Sequence, residues 1–304
     1  MADVRPFRGV RYNQSLVKDL ASVICPPYDI ISPEQQRELY SKSEYNFVRL
    51  EFAQEFPQDT TTENKYMRAA ATLESWLKQG VLEIDEVPAI YLHNHYFTHQ
   101  GRRQKRRGII VRVRLEEWDK RVLRPHEATM AAPRSDRLNL LWALQANTSP
   151  VLGMYEDPRK QISTLLAVQE RGKPLIELIE LKGDSGQGHR LWAITESEIV
   201  RQISSSLANQ PIYIADGHHR YESALTHRRE RLTCSPSASA DEAFNFVMMV
   251  LLDFSGPGLL ILPTHRLVRG LSEMTINGLR AKLEVFFEME ELPFSIPVTG
   301  KQVD

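Results

Sequence analysis

Between Thr62 and Gly80 the apolar residues Tyr66, Met67, Ala70, Leu73, Trp76 and Leu77 recur at three- and four-residue spacing. This pattern predicts an amphipathic helix that Gly80 stops. A second helix start is written in Ser32-Pro33-Glu34-Gln35: Ser32 can cap, Pro33 fits the first helical position and Gln35 can reach back to close a capping box, with the helix running through Ser41. Helices are also expected over 135–146, 195–208 and 221–231.

Strand patterns interleave with these. The runs 4–12 and 22–29, broken by Gly and Pro, predict short strands joined by loops. Ala89 to Phe97 and Arg107 to Leu115 predict a β-hairpin whose loop is the polar stretch Thr98 to Arg106. Residues 211–215 and 245–252 predict buried strands, and the Ser/Pro-rich 235–241 predicts a flexible connection. No internal repeat is visible. Strands and helices mixed throughout predict an α/β fold with a mixed sheet.

Composition narrows the partners. At 304 residues, 42% hydrophobic and 25% charged, the chain lies in the globular range, with room for two domains or one large one. The 38 Lys and Arg nearly balance 39 Asp and Glu, so a net charge of -1 gives no global attraction to nucleic acid or an anionic membrane. The dense basic run Arg102-Arg103-Gln104-Lys105-Arg106-Arg107 reads either as a phosphate or nucleic-acid patch or as a solvated hairpin tip. The lack of interleaved aromatics favours the tip.

The first residues show no basic-then-apolar leader. The longest apolar run, Phe244 to Phe254, falls short of the roughly 18 residues of a membrane helix and contains Asp253. A cytoplasmic protein without a membrane partner is the expectation. Cys25 and Cys234 form neither a disulfide framework nor a zinc pattern, and read as free thiols. His93 and His95 share a strand face as a metal pair or a plain half-exposed pair; no third ligand is indicated nearby, which favours the plain reading.

The sharpest chemistry is Asp216-Gly217-His218-His219-Arg220, placed between the strand 211–215 and a helix. A helix N-terminus offers unpaired amides and the positive end of a dipole, Gly217 lets an oxyanion approach, and Arg220 can clamp it bidentately. The Gly-rich dinucleotide fingerprint and the Lys-containing P-loop are both missing. In the competing reading Asp216 caps the helix, His218 and His219 lie on the surface, and Arg220 makes a salt bridge. Function concentrates at the carboxyl ends of strands in α/β folds, which favours a site.

A second constellation is His126 and Glu127 followed by Arg134, Asp136 and Arg137 at a helix start, reading equally as a substrate-binding group or as a loop fixed by ion pairs. Asp29, in Pro26-Pro27-Tyr28-Asp29, is divided between turn-making and acid/base work.

Five motifs, Val4-Arg-Pro-Phe-Arg-Gly9, Pro26-Pro-Tyr-Asp-Ile-Ile-Ser-Pro33, Pro125-His-Glu127, Ser135-Asp-Arg-Leu138 and Ala215-Asp-Gly-His-His-Arg-Tyr221, run in order over most of the chain. Together they resemble the domain-of-unknown-function 1015 family of bacteria and archaea. That family is in turn similar to the ParB/sulfiredoxin superfamily, which includes free serine kinases and in which a Gly-x-x-Arg turn before a helix holds nucleotide phosphates. Gly217-His218-His219-Arg220 matches that turn residue by residue.

This chain has His where sulfiredoxins need Cys, and shows neither the helix-turn-helix nor the dimerisation tail of ParB. Ala132-Pro133-Arg134 stands where relatives tend to have Gly-Pro-Lys, and relatives generally continue past Gly300. The resemblance implies a discontinuous ParB-like nucleotide module from 1–55 and 206–304, with 56–205 as an inserted α/β lobe carrying the hairpin near 89–115.

Implied with it is a Mg²⁺-dependent kinase using ATP or ADP, with CTP as another nucleotide, and a small hydroxylated metabolite such as serine. Gly217, His219 and Arg220 would hold phosphate. Asp216, His218, His219 and Asp29 would be catalytic, Asp216 and Asp29 would bind the metal, and His126, Glu127, Arg134, Asp136 and Arg137 would bind substrate. Two alternatives stay open: a nucleotide-binding regulator that hydrolyses slowly or not at all, and a metal-dependent phosphatase or nuclease. Nucleic acid is not the expected partner, and the oligomeric state is left open.

Overall fold

Val247, Met249 and Leu251 on one stretch, and Ile109, Val111 and Val113 on another, are buried in strict alternation, as two neighbouring strands laid on one core require. They belong to a computed structural model that describes residues 1–179, 187–261 and 270–289. Part of the stretch assigned above to 206–304 therefore lies outside the described residues.

The elements, in chain order, are β1 (Val4–Arg5), β2 (Val10–Tyr12), α1 (Pro33–Lys42), α2 (Val48–Glu51), α3 (Lys65–Lys78), β3 (Leu82–Ile84), β4 (Ile90–His99) and β5 (Arg102–Arg114). Next come β6 (Leu123–Arg124), α4 (Ala131–Leu144), β7 (Val151–Tyr155), α5 (Gln161–Gln169), β8 (Ile176–Ile179), β9 (Gly188–Ile194) and α6 (Ser197–Ala208). The last are β10 (Ile212–Asp216), α7 (His218–Cys234), β11 (Phe246–Asp253) and α8 (Glu273–Leu283).

The main sheet runs β6-β10-β7-β11-β5-β4-β9-β8, with β1 also paired to β5. The pairs β6/β10 and β7/β11 are parallel and the others antiparallel, so this is an α/β fold with a mixed sheet. Strands drawn from both sides of residue 206 share it. Residues 1–259 form one compact unit; α8, capped by the Ser272 side chain, belongs to the unit that begins at Leu260.

Ile162 and Leu166 of α5, Ile203 and Leu207 of α6, and Tyr221, Ala224 and Leu225 of α7 cover the sheet residues Val111, Val151, Ile212 and Met249 in one core. Gly153 on β7 allows this packing, since a Cβ there would lie 2.8 Å from the side chains of Ile212, Met249 and Leu251. A smaller core joins Ala69 of α3 to Leu140 and Leu144 of α4, and α4 lies along α7. These contacts bring the start of α7 beside α4 and the segment before it.

Local signals predicted several elements well. Ser32 and Gln35 form the capping box of α1, and α3 ends before Gly80, whose φ of +73° is the left-handed stop. Two expectations are corrected.

The run 22–29 forms no strand: Leu20–Ser22 and Tyr28–Ile30 are single 3-10 turns around Pro26 and Pro27, which have no N–H for a ladder. The loop expected over 98–106 is only the turn Gln100-Gly101, at φ 50° and 72°, the two positive values of a tight hairpin turn. The basic run is thus strand rather than loop, with Arg102 and Arg103 exposed beside the turn. Lys105 and Arg107 bond Glu170, and Arg106 donates to His95. Among the described residues no helix is long and apolar enough to cross a membrane.

Candidate functional site

β10 buries Ile212 and Ile214 and ends on the exposed Asp216. Gly217 follows at φ 89° and ψ 27°, a left-handed conformation that glycine adopts without strain, and α7 begins at once. No side chain caps the first amides of α7. The cap that one reading assigned to Asp216 is therefore absent. Its Oδ2 instead accepts from Arg220 Nη2 at 2.6 Å, and Arg220 Nη1 donates to the Pro150 carbonyl. The guanidinium folds back over the turn so closely that a Cβ on residue 217 would lie 3.1 Å from it.

Of the two histidines of the turn, His218 is buried and His219 is half-buried. His218 is 1% exposed, and its Nε2 accepts the backbone N–H of His126 at 3.3 Å. The proton then sits on Nδ1, 3.1 Å from Glu127 Oε1, although not aligned as a hydrogen bond. Burial pushes the His218 pKa down, against the pull of Glu127, and keeps the ring neutral. Nε2 of His219 accepts from the Met130 amide at 2.9 Å, and His126 Nε2 lies 3.2 Å from the Ala215 carbonyl. Residues 126–130 are thereby pinned over the start of α7.

Arg137, on the second turn of α4, is 7% exposed. It bonds Asp136 and the Glu51 carbonyl, and its Nη1 lies 3.3 Å from Glu51 Oε1; its guanidinium stacks 3.9 Å from the centre of the Tyr28 ring. Asp136 also takes Lys65 Nζ at 3.0 Å and the Tyr66 hydroxyl at 2.8 Å. Burial alone would raise its pKa, but Arg137, Lys65 and Tyr66 together hold it below the usual carboxylate value. Lys65 is itself raised, since Asp136 outweighs the desolvation that would lower it.

Glu51, Arg137, Ser149, Arg220 and Ser223 line one cavity of about 40 Å³. Arg137 and Arg220, 83 positions apart by number (220 − 137), therefore reach the same space. Sequence reading missed Glu51 and Ser149; the one signal was an acid between the apolar Leu50 and Phe52. Asp29 is exposed on its 3-10 turn, and Arg134 contributes its carbonyl to the Ser223 hydroxyl at 2.8 Å. Among the described residues no hydrogen bond or ion pair joins the side chain of either to the 216–220 turn.

Away from this turn, β9 supplies a third histidine beside His93 and His95. His93 Nε2 and His189 Nδ1 are 3.0 Å apart with ring planes 6° from parallel, while His95 stacks face to face on His189 at 4.5 Å. In-line and stacked rings aim their nitrogens at different points, so the array has no common centre for an ion. Among the described residues no group of three or more His, Cys, Asp or Glu is set to hold a metal. Burial first, then the neighbouring histidines and Arg106, pushes His93 down to about 3 and His95 down to about 4.

A family model described as a protein of unknown function (DUF1015) matches residues 4–303, and the chain belongs to that family. Neither the curated proteins nor the solved structures include a match to the chain.

Proposed function

We propose that this member of the DUF1015 family binds a nucleotide by its phosphates at the start of α7 and, with Mg²⁺, transfers a phosphoryl group to a small hydroxylated metabolite such as serine. The observation that carries the reading is the uncapped start of α7, entered through left-handed Gly217 and covered by Arg220. Amides without a side-chain cap, a helix dipole and a guanidinium converge there, and each favours an anion. The likeness of Gly217-His218-His219-Arg220 to the Gly-x-x-Arg turn of the ParB/sulfiredoxin superfamily supports a nucleotide as the source of that anion.

Arg220 is held by one Asp216 oxygen and one carbonyl. An incoming phosphate offers two oxygens in the fork geometry that guanidinium prefers, so Arg220 exchanges Asp216 for the ligand. His219, with Nε2 committed to the Met130 amide, keeps its proton on Nδ1 and donates from there. Asp216, 64% exposed and released from Arg220, would hold the metal. So small a donor set suits Mg²⁺, which keeps several waters and takes its remaining ligands from phosphate. When bound, the ion would neutralise charge on the transferring group. Arg137, beside the same cavity, and the His126-Glu127 segment frame the acceptor side.

The test is a thermal-shift series with ATP, ADP and CTP, with and without Mg²⁺, followed by ³¹P NMR of ATP with L-serine. At a hundredfold excess over Kd a ligand stabilises by about 2.7 kcal/mol, which a melting curve resolves. No shift with any nucleotide overturns the reading. A shift without acceptor-dependent product leaves the regulator in place of the kinase.

A further inference from the structure

Glu51 closes α2 at 2% exposure and spends only one of its oxygens. Oε1 accepts from the Ser149 hydroxyl at 2.6 Å and lies 3.3 Å from Arg137 Nη1. Oε2 is buried and has no hydrogen-bond partner. A buried carboxylate oxygen left without a donor is costly, and its usual explanation is a group that arrives later.

Glu51 also lines the cavity of about 40 Å³, as does Arg220. The cavity holds roughly three water-sized centres at the 10–15 Å³ each requires. Leu140, 6% exposed, gives it an apolar side.

Charge decides what fits. Glu51 is matched by Arg137, and Asp136 by Lys65 as well as Arg137, so two acids face two bases. The pocket as built needs a donor, not a further cation. We propose that this cavity is the acceptor's head-group subsite: it takes a hydroxyl on a one- or two-carbon stem, which donates to Glu51 Oε2 while its methylene lies on Leu140. The proposal rests on the phosphotransfer reading for the word acceptor, but the subsite itself is defined by Glu51 and the cavity.

The experiment uses the full chain and calorimetric titration with glycerol, ethanolamine and L-serine, in the presence and absence of β,γ-methylene ATP. Glu51→Gln retains an oxygen for Ser149 and Arg137 but turns the open position into an N–H donor. It is expected to weaken the probe that binds at least tenfold, with the Kd of the ATP analogue within twofold of the parent. Ala146→Val keeps Glu51 and fills the cavity from another of its walls, with the same expected loss, and it decides the matter where Glu51→Gln fails to fold.

Unchanged probe affinity in a folded variant, or no binding of any of the three probes, overturns the subsite. Failure of the analogue to bind, with probe binding still dependent on Glu51, removes the nucleotide reading and leaves the subsite standing.

Discussion

Arg220 and Asp216 meet at 2.6 Å across the single glycine where β10 becomes α7, the carboxylate on the strand and the guanidinium one helical turn on. The pair sits at the edge of solvent, with Asp216 64% and Arg220 18% exposed, so the ion pair itself adds little stability. What it does is hold a cation over helix amides that no side chain caps, with only a weak partner to displace.

Arg220→Ala is accordingly expected to weaken nucleotide binding by about 1.5–3 kcal/mol, the worth of hydrogen bonds to a charged group, and to leave folding intact. Calorimetry checks the affinity and a melting curve the fold. Arg220→Lys should recover only part of the loss, because an ammonium cannot make the two-pronged contact. Equal affinity in the alanine variant would remove Arg220 from the phosphate site.

Asp216→Asn should keep nucleotide affinity nearly unchanged while lowering turnover about 10²–10⁴-fold, if its carboxylate holds the metal or takes the acceptor's proton. Since Asp216 does not cap α7, loss of a cap cannot account for a rate effect. Parent-like turnover in a steady-state assay would leave the turn as a binding element and favour the regulator.

His218→Ala removes a ring that is 1% exposed and the acceptor of the His126 amide. The expected loss is about 2–4 kcal/mol from the cavity and the orphaned amide together. Denaturant unfolding measures it, and hydrogen exchange at His126 should speed up locally. Slow exchange at His126 in the variant would show that Nε2 does not hold this segment.

Stability should fall in mild acid. The pKa values of His93 and His95 are lowered in the folded state to about 3 and about 4 from the ordinary 6.5, so the unfolded chain binds more protons between those limits. Their contribution is full above pH 6.5 and is lost progressively as pH falls toward 4. His218 and His227, lowered by burial, add in the same direction. Replacing His93 with Gln should flatten the slope of melting temperature against pH in that window; an unchanged slope would show that the array does not titrate as described.

Short-range chemistry was enough for the sequence to determine the capping box of α1, the extent of α3 with its glycine stop, and the passage from β10 through Gly217 into α7. Each depends on residues within a few positions of one another: a side chain reaching a backbone N–H three residues away, a 3.6-residue period, a glycine able to turn left-handed. The membership of the chain in its family was legible for the same reason, being carried by contiguous motifs.

Tertiary structure alone decided the rest. Charge along 102–107 suggested a loop, yet Glu170 lies where Lys105 and Arg107 can reach it once β5 pairs with β4, and a strand results. His189 joins His93 only through the register of β9, and Glu51 meets Arg137 across 86 residues, inside a core that no spacing in the sequence specifies. Burial and pairing of this kind are set by where distant segments pack. The sequence therefore showed the turn that faces the proposed phosphate, and the fold alone revealed the buried carboxylate that lines one cavity with Arg220.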